Sequence, residues 1–159
     1  MPSDDLAIDL MAGLMSATVA YSMCYVIATV FLPHAPCVAF ATDAIFGLFY
    51  YPLIVYLAAC ATFRLSDTVE SRWQSTSSYS HLLGLGLVSR MIVHVPFLLK
   101  KRRSGDKKMR PIYLLHHAVV IIVYLTGLIL RRAHFWGAMN ALCETTNVFL
   151  TIIELLTSW

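Results

Sequence analysis

Apolar residues fall into long blocks along this chain, and short polar stretches separate the blocks. The blocks have roughly the length, about 20 residues, that crosses the hydrocarbon core of a bilayer as an α-helix. They lack the alternation of barrel strands, and only helices or closed barrels satisfy their backbone in lipid. The pattern therefore predicts an all-α, polytopic transmembrane bundle of about five helices.

The predicted helices occupy residues 6–32, 38–63, 79–99, 111–130 and 134–158. Proline ends the first one in the stretch "LPHAP", because proline lacks an amide donor and disfavours helix before it. The stretch 64–78, "RLSDTVESRWQSTSS", is polar and predicts a loop or a surface helix. With no repeat and no second domain evident, residues 1–159 are expected to form one transmembrane domain.

Composition and charge support this interpretation and suggest an orientation. Charged residues make up 13% of the chain, against about a quarter in a soluble domain. Residues 100–110, "KKRRSGDKKMR", are predicted as a loop and hold seven of the twelve basic residues. The positive-inside rule places this loop in the cytosol or, for a mitochondrial inner membrane, in the matrix. The endoplasmic reticulum and the plasma membrane are equally compatible, and the loop could also attract anionic lipid.

Acidic residues stand at the N-terminus where a signal peptide needs basic ones, so the first helix is expected to be retained. Cys24, Cys37, Cys60 and Cys143 have no metal-like spacing, and free cysteine inside a span behaves as a small apolar residue. The sequence therefore predicts no metal site and no cofactor.

A polar stripe follows the fifth predicted helix. At 100° per residue, one narrow face carries Asn140, Glu144, Asn147, Thr151 and Glu154. Such a stripe can be a seam of hydrogen bonds between helices, or it can line a cavity that water or a lipid headgroup reaches. The sequence leaves both interpretations open.

Two adjacent histidines open the fourth predicted helix, close to the basic loop. Tyr113, His117 and Tyr124 share one face, whereas His116 points about 100° away. At most one histidine can therefore face the cavity, and either a structural or a chemical role is possible. Metal binding is a weak hypothesis, because helical histidine ligands are usually spaced by three or four.

The third predicted helix carries Arg90 and His94, four residues apart and therefore on one face. An arginine within a span is costly unless it is paired, and Glu144 or Glu154 is the expected partner. The alternative is an anion site for a phospholipid headgroup, which a guanidinium recognises well. Asp43, early in the second helix, is expected to lie at the interface and to carry little information.

The stretches "YLLHHAVVIIVYLTGLIL" and "WGAMNALCETTNVFLTIIELL" resemble the C-terminal half of a TLC domain, the membrane fold of ceramide synthases and related lipid-handling proteins. The resemblance covers residues 79–156, about half the chain, and is greater to the non-synthase branch. His116 and His117 match the first family motif. The second motif, H-D-x-x-D in the synthases, falls on Cys143, Glu144 and Asn147, a departure that argues against ceramide synthase chemistry. Arg90 also stands near the position of an expected acid.

The resemblance implies an integral membrane protein that binds or regulates lipids, with membrane lipids and possible further membrane subunits as partners and no nucleic acid. One alternative is a non-catalytic subunit of a membrane complex. Another is an acyltransferase in which His116 and His117 are catalytic, with His117 as general base and Glu144 stabilising its imidazolium. The predicted lipid-binding residues are Arg90, His94, Tyr113, His117, Tyr124, Asn140, Glu144, Asn147 and Thr151.

Overall fold

The computed structural model describes residues 3–32, 38–103 and 111–157. Every regular element within those ranges is helical, which confirms the all-α prediction. The helices are α1 (Ser3–Phe31), α2 (Val38–Leu65), α3 (Val69–Gln74), α4 (Ser78–Arg103), α5 (Pro111–Leu130), α6 (His134–Ala141) and α7 (Thr145–Thr157), and a 3₁₀ turn (Leu142–Glu144) joins the last two.

Within the described ranges, four segments are long and apolar enough to cross a membrane: Asp5–Phe31, Ala41–Leu65, Val69–Leu99 and Ile112–Leu130. The third comprises the short α3 and most of α4. The chain is therefore built as a membrane protein, and the first four predicted spans correspond to α1, α2, α4 and α5.

The two largest differences from the predicted helix bounds lie after residue 99. The fifth predicted helix is divided, because the 3₁₀ turn separates α6 from α7. The predicted basic loop begins later than residue 100, since α4 continues to Arg103. Residues 104–110, like His34 and Cys37, lie outside the described ranges, and so does the side chain of Glu154.

The polar stretch after α2 contains a surface helix, α3. The Ser71 amide donates to Thr68 Oγ1 and the Thr68 amide donates to Ser71 Oγ, both at 3.0 Å, so the two residues form a capping box. Trp73 packs against Trp136 of α6 with ring centroids 5.6 Å apart. The stretch therefore packs against α6.

Helix α2 lies at the centre of the bundle and contacts α1, α4, α6 and α7. Its small residues Ala58 and Ala61 are fully buried beside Leu83 and Val88 of α4. Small side chains let transmembrane helices approach closely. Polar residues on the facing sides of α2 and α4 are consequently held inside the bundle, whereas large apolar residues on α1 and α5 point outward.

Candidate functional site

Four ionisable side chains meet inside the bundle, where the beginnings of α2 and α5 pack against the central part of α4. They are Asp43, Arg90, His94 and His117, here called the polar cluster. Asp43 lies five residues into α2 and His117 six residues into α5. Arg90 and His94 lie farther from the end of α4, and all four residues fall within segments that are long and apolar enough to cross a membrane.

Arg90 of α4 is 4% exposed and has several partners. One guanidinium nitrogen, Nη2, lies 3.7 Å from Asp43 Oδ1 and donates a 2.9 Å hydrogen bond to the Tyr51 hydroxyl. The guanidinium carbon stands 5.0 Å from the ring centroids of both Tyr50 and Tyr51. Arg90 Nε is buried with no hydrogen-bond partner among the described residues. The arginine is therefore held, but its donors are incompletely used.

The histidines form a chain that leads away from the same carboxylate. His94 Nε2 lies 3.4 Å from Asp43 Oδ1, and His94 Nδ1 lies 2.9 Å from His117 Nε2. His117 Nδ1 is 2.8 Å from the backbone oxygen of Tyr113. The Tyr21 hydroxyl of α1 also donates to Asp43. Four helices, α1, α2, α4 and α5, thus contribute to one connected network.

The hydrogen bonds assign the tautomer of His117. A carbonyl oxygen only accepts, so a neutral His117 carries a hydrogen on Nδ1, and its Nε2 accepts one from His94 Nδ1. His94 Nε2 then faces Asp43 Oδ1 at 3.4 Å, and Arg90 Nη2 faces the same oxygen at 3.7 Å. Two basic side chains therefore share one carboxylate.

Access to the polar cluster is uneven. The side chains of Arg90 and His94 are 5% and 10% exposed, whereas that of Asp43 is 36% exposed. The cluster therefore opens on the side of α2. The Asp43 carboxylate is therefore the member of the cluster nearest the surface, and Arg90 lies behind it.

The prediction that Glu144 pairs with Arg90 was wrong. Arg90 pairs with Asp43, while Glu144 accepts a hydrogen bond from Asn147 one helical turn away. The interpretation of Asp43 as an uninformative interfacial residue was also wrong. One signal could have identified it: Asp43 is the only charged residue in the predicted span 38–63, and ionisable groups at membrane depth usually have a role.

Among the described residues, none of the remaining predicted side chains is hydrogen-bonded to the polar cluster, although the His116 ring stands edge-on to that of His117, with centroids 5.8 Å apart. The Tyr124 hydroxyl donates to the Gly137 carbonyl at 2.8 Å, and Tyr124 and Asn140 line a separate groove. Thr151 of α7 is buried and lies close to Gly47 of α2. The side chains of Tyr113 and His116 are exposed. The predicted lipid-binding residues therefore divide into more than one group.

The geometry limits the chemistry that His117 can perform. Both of its ring nitrogens are hydrogen-bonded, so it has no free lone pair for abstracting a proton unless the bond from His94 opens. The carboxylate linked to His117, through His94, is Asp43 and not the predicted Glu144. Within the described part of the chain, no three His, Cys, Asp or Glu side chains are arranged to hold a metal ion.

Comparisons of this chain with protein-family models, with curated proteins and with solved structures gave no match.

Proposed function

We propose that this membrane protein handles lipids and binds the anionic headgroup of a phospholipid at the polar cluster. One observation carries the proposal: Arg90 and His94 share a single carboxylate, that of Asp43, and Arg90 Nε is buried without a hydrogen-bond partner among the described residues. An incompletely paired guanidinium is costly within a membrane span. A bound phosphate diester would supply a second negative charge and the missing acceptor.

The donors at the polar cluster suit a phosphate. Arg90 Nε and the Tyr50 hydroxyl are both buried without a hydrogen-bond partner among the described residues. The guanidinium carbon of Arg90 lies 5.0 Å from the centroid of the Tyr50 ring, so both donors belong to side chains in contact. A guanidinium binds phosphate through parallel hydrogen bonds, and buried donors gain most when a ligand satisfies them.

The resemblance to TLC-domain proteins supports the same proposal, since it implies a lipid ligand near the histidine pair. Under this proposal His117 orients His94, and His94 orients Asp43, while His116 has no part in the cluster. The acyltransferase alternative has less support because neither nitrogen of His117 is free. No specific contact favours the alternative of a non-catalytic subunit.

Native mass spectrometry of the protein in mild detergent tests the proposal directly. We expect one phospholipid retained by the wild-type protein and largely lost in Arg90→Gln, because glutamine supplies neither the charge nor the fork of donors. Arg64→Gln is the matched control, since Arg64 is exposed at the other end of α2. That variant should retain the lipid as the wild type does.

A second variant separates binding from folding. Arg90→Lys keeps the positive charge but removes Nε, and it should weaken retention by about tenfold while the protein still unfolds cooperatively. Equal retention of the same lipid by wild type, Arg90→Gln and Arg90→Lys would contradict the proposal. Release of the chain only as part of a larger complex, with no lipid, would favour the subunit alternative.

A further inference from the structure

A groove of about 220 Å³ lies between α4, α5 and α6, and none of the polar cluster residues lines it. Its walls are mainly apolar and include Leu83, Val123, Leu128 and Trp136. Val123 and Trp136 are 56% and 45% exposed, so the groove opens on the outer surface of the bundle. In a membrane that surface faces lipid.

The polar groups of the groove are distributed unevenly. His134 donates from Nε2 to the Gly127 carbonyl at 3.1 Å, and its Nδ1 lies 3.0 Å from Ser80 Oγ, so both ring nitrogens are used. Arg132 is exposed and lines the groove, and no carboxylate of the described residues lies within ion-pair distance of it. Arg132 therefore supplies the unpaired charge of this site.

The backbone fixes Arg132 at the mouth of the groove. Its neighbours Arg131 and Ala133 both have left-handed backbone conformations, with φ of 53° and 59°. The Ala133 amide donates to the Trp73 carbonyl at 2.8 Å, which ties the turn to α3. Left-handed geometry is unfavourable for residues with a Cβ atom, so surrounding contacts must hold this turn in place.

We infer that this groove binds a free fatty acid, with the carboxylate on Arg132 and the alkyl chain along Leu83, Val123 and Leu128. Charge complementarity selects an anion at the Arg132 end. At the far end Asn140 is followed one turn later by Glu144, which disfavours an anion there. The volume is below the roughly 300–1,000 Å³ of typical ligand pockets, which suits a single alkyl chain within the groove.

This site is independent of the proposed headgroup site. The groove lies near the end of the bundle where α5 finishes and α6 begins, and the polar cluster lies toward the beginning of α5. Substitution of Arg90 should therefore leave fatty acid binding unchanged. Either site can fail without the other.

Photolabelling of the intact protein in phosphatidylcholine nanodiscs tests the inference. The probe is palmitic acid with a diazirine on its alkyl chain, and mass spectrometry locates the label. We expect labelled peptides from α4, α5 and α6, and competition by palmitate about tenfold stronger than by the uncharged palmityl alcohol. Arg132→Gln should reduce labelling by about tenfold. The exposed neighbour Arg131 does not line the groove. The labelling of Arg131→Gln should therefore stay within about twofold of that of the wild type.

A groove-filling variant tests the location. A Cβ atom at Gly127 would meet only the Arg132 carbonyl oxygen, at an ordinary 3.6 Å, so Gly127→Leu can extend into the groove and should abolish labelling. Gly127→Ala is the control for the loss of glycine in the backbone, and this variant should keep most of the labelling. Val123→Trp, on the exposed rim, provides a second blocking variant should Gly127→Leu not fold.

Labelling that survives both Arg132→Gln and a folded blocking variant would overturn the inference. So would equal competition by palmityl alcohol, because the carboxylate would then have no role. Displacement by lysophosphatidylcholine as effective as that by palmitate would also overturn it, since the ligand would then not be defined by a free carboxylate.

Discussion

Arg90 and Arg132 belong to the same bundle but have opposite surroundings. Arg90 is 4% exposed and contacts a carboxylate, a phenol and two aromatic rings, whereas Arg132 is exposed at the rim of an apolar groove. The first charge is part of the packing between α2 and α4. The second can be removed without leaving another charge buried. Both the fold and lipid binding should therefore depend on Arg90, whereas Arg132 should affect binding alone.

The largest effect should come from removing the buried arginine. Arg90→Met removes the buried guanidinium that faces Asp43, and breaking a buried pair from one side typically costs 3–5 kcal/mol. We expect a loss of about 3 kcal/mol in the free energy of unfolding, because Asp43 is partly exposed and keeps His94. Denaturation in mixed detergent measures it. Arg64→Met, at an exposed site, should cost less than about 0.5 kcal/mol. Equal losses in the two variants would show that burial of Arg90 does not add to stability.

Two aspartates sharpen the comparison, because both side chains are 36% exposed. Asp43 faces partners that are 5% and 10% exposed, whereas Asp9 pairs with His81, which is 28% exposed. Asp43→Asn should therefore cost about 2 kcal/mol, the scale of hydrogen bonds to charged groups. Asp9→Asn should cost below about 1 kcal/mol, as for exposed ion pairs. The same detergent denaturation compares them, and similar losses would mean that partner burial does not control the energy.

A smaller effect is expected at the inner wall of the groove. Tyr124→Phe removes the hydrogen bond to the Gly137 carbonyl and should destabilise the protein by about 1 kcal/mol. Tyr113→Phe is the control, since that side chain is 50% exposed and should change stability by less than about 0.5 kcal/mol. Thermal unfolding in detergent resolves the two. Identical melting temperatures would show that the Tyr124 bond contributes no net stability.

The smallest effect should be a pH dependence at His134. Burial lowers the pKa of this imidazole below its ordinary value of 6.5. A lowered pKa means that the unfolded state binds the proton more readily, so stability is full above about pH 6.5 and falls as pH decreases below it. We expect a loss of about 1 kcal/mol or less between pH 7 and pH 5.5. Melting temperatures measured across that range should fall less in His134→Gln than in the exposed control His116→Gln, and equal slopes would exclude His134 as the cause.

Local sequence patterns predicted the helices but could not predict their partners. The shared face of Arg90 and His94 follows from a spacing of four residues, and in the structure both side chains contact Asp43. Which carboxylate they would meet depended on whether α2 or α7 packs against that face of α4. Helical periodicity says which residues share a face, but it does not say which other helix covers it.

The predicted polar stripe of the fifth helix illustrates the same limit. A continuous helix would place Asn140, Glu144 and Thr151 on one face, but the 3₁₀ turn at Leu142–Glu144 interrupts it. Glu144 then bonds with Asn147, while Asn140 lines the groove. A change in helical type over three residues has no strong local sequence signal, because the same residues are compatible with either winding.

The sequence by itself determined that the chain is helical and built for a membrane, because block length, low charge and the absence of strand alternation are local properties. It also determined which side chains share a helix face. Only the tertiary structure decided that Asp43, Arg90, His94 and His117 form one network and that Arg132 lies at a separate groove. These contacts join residues distant in the chain, and they depend on how closely small side chains let α2 approach its neighbours.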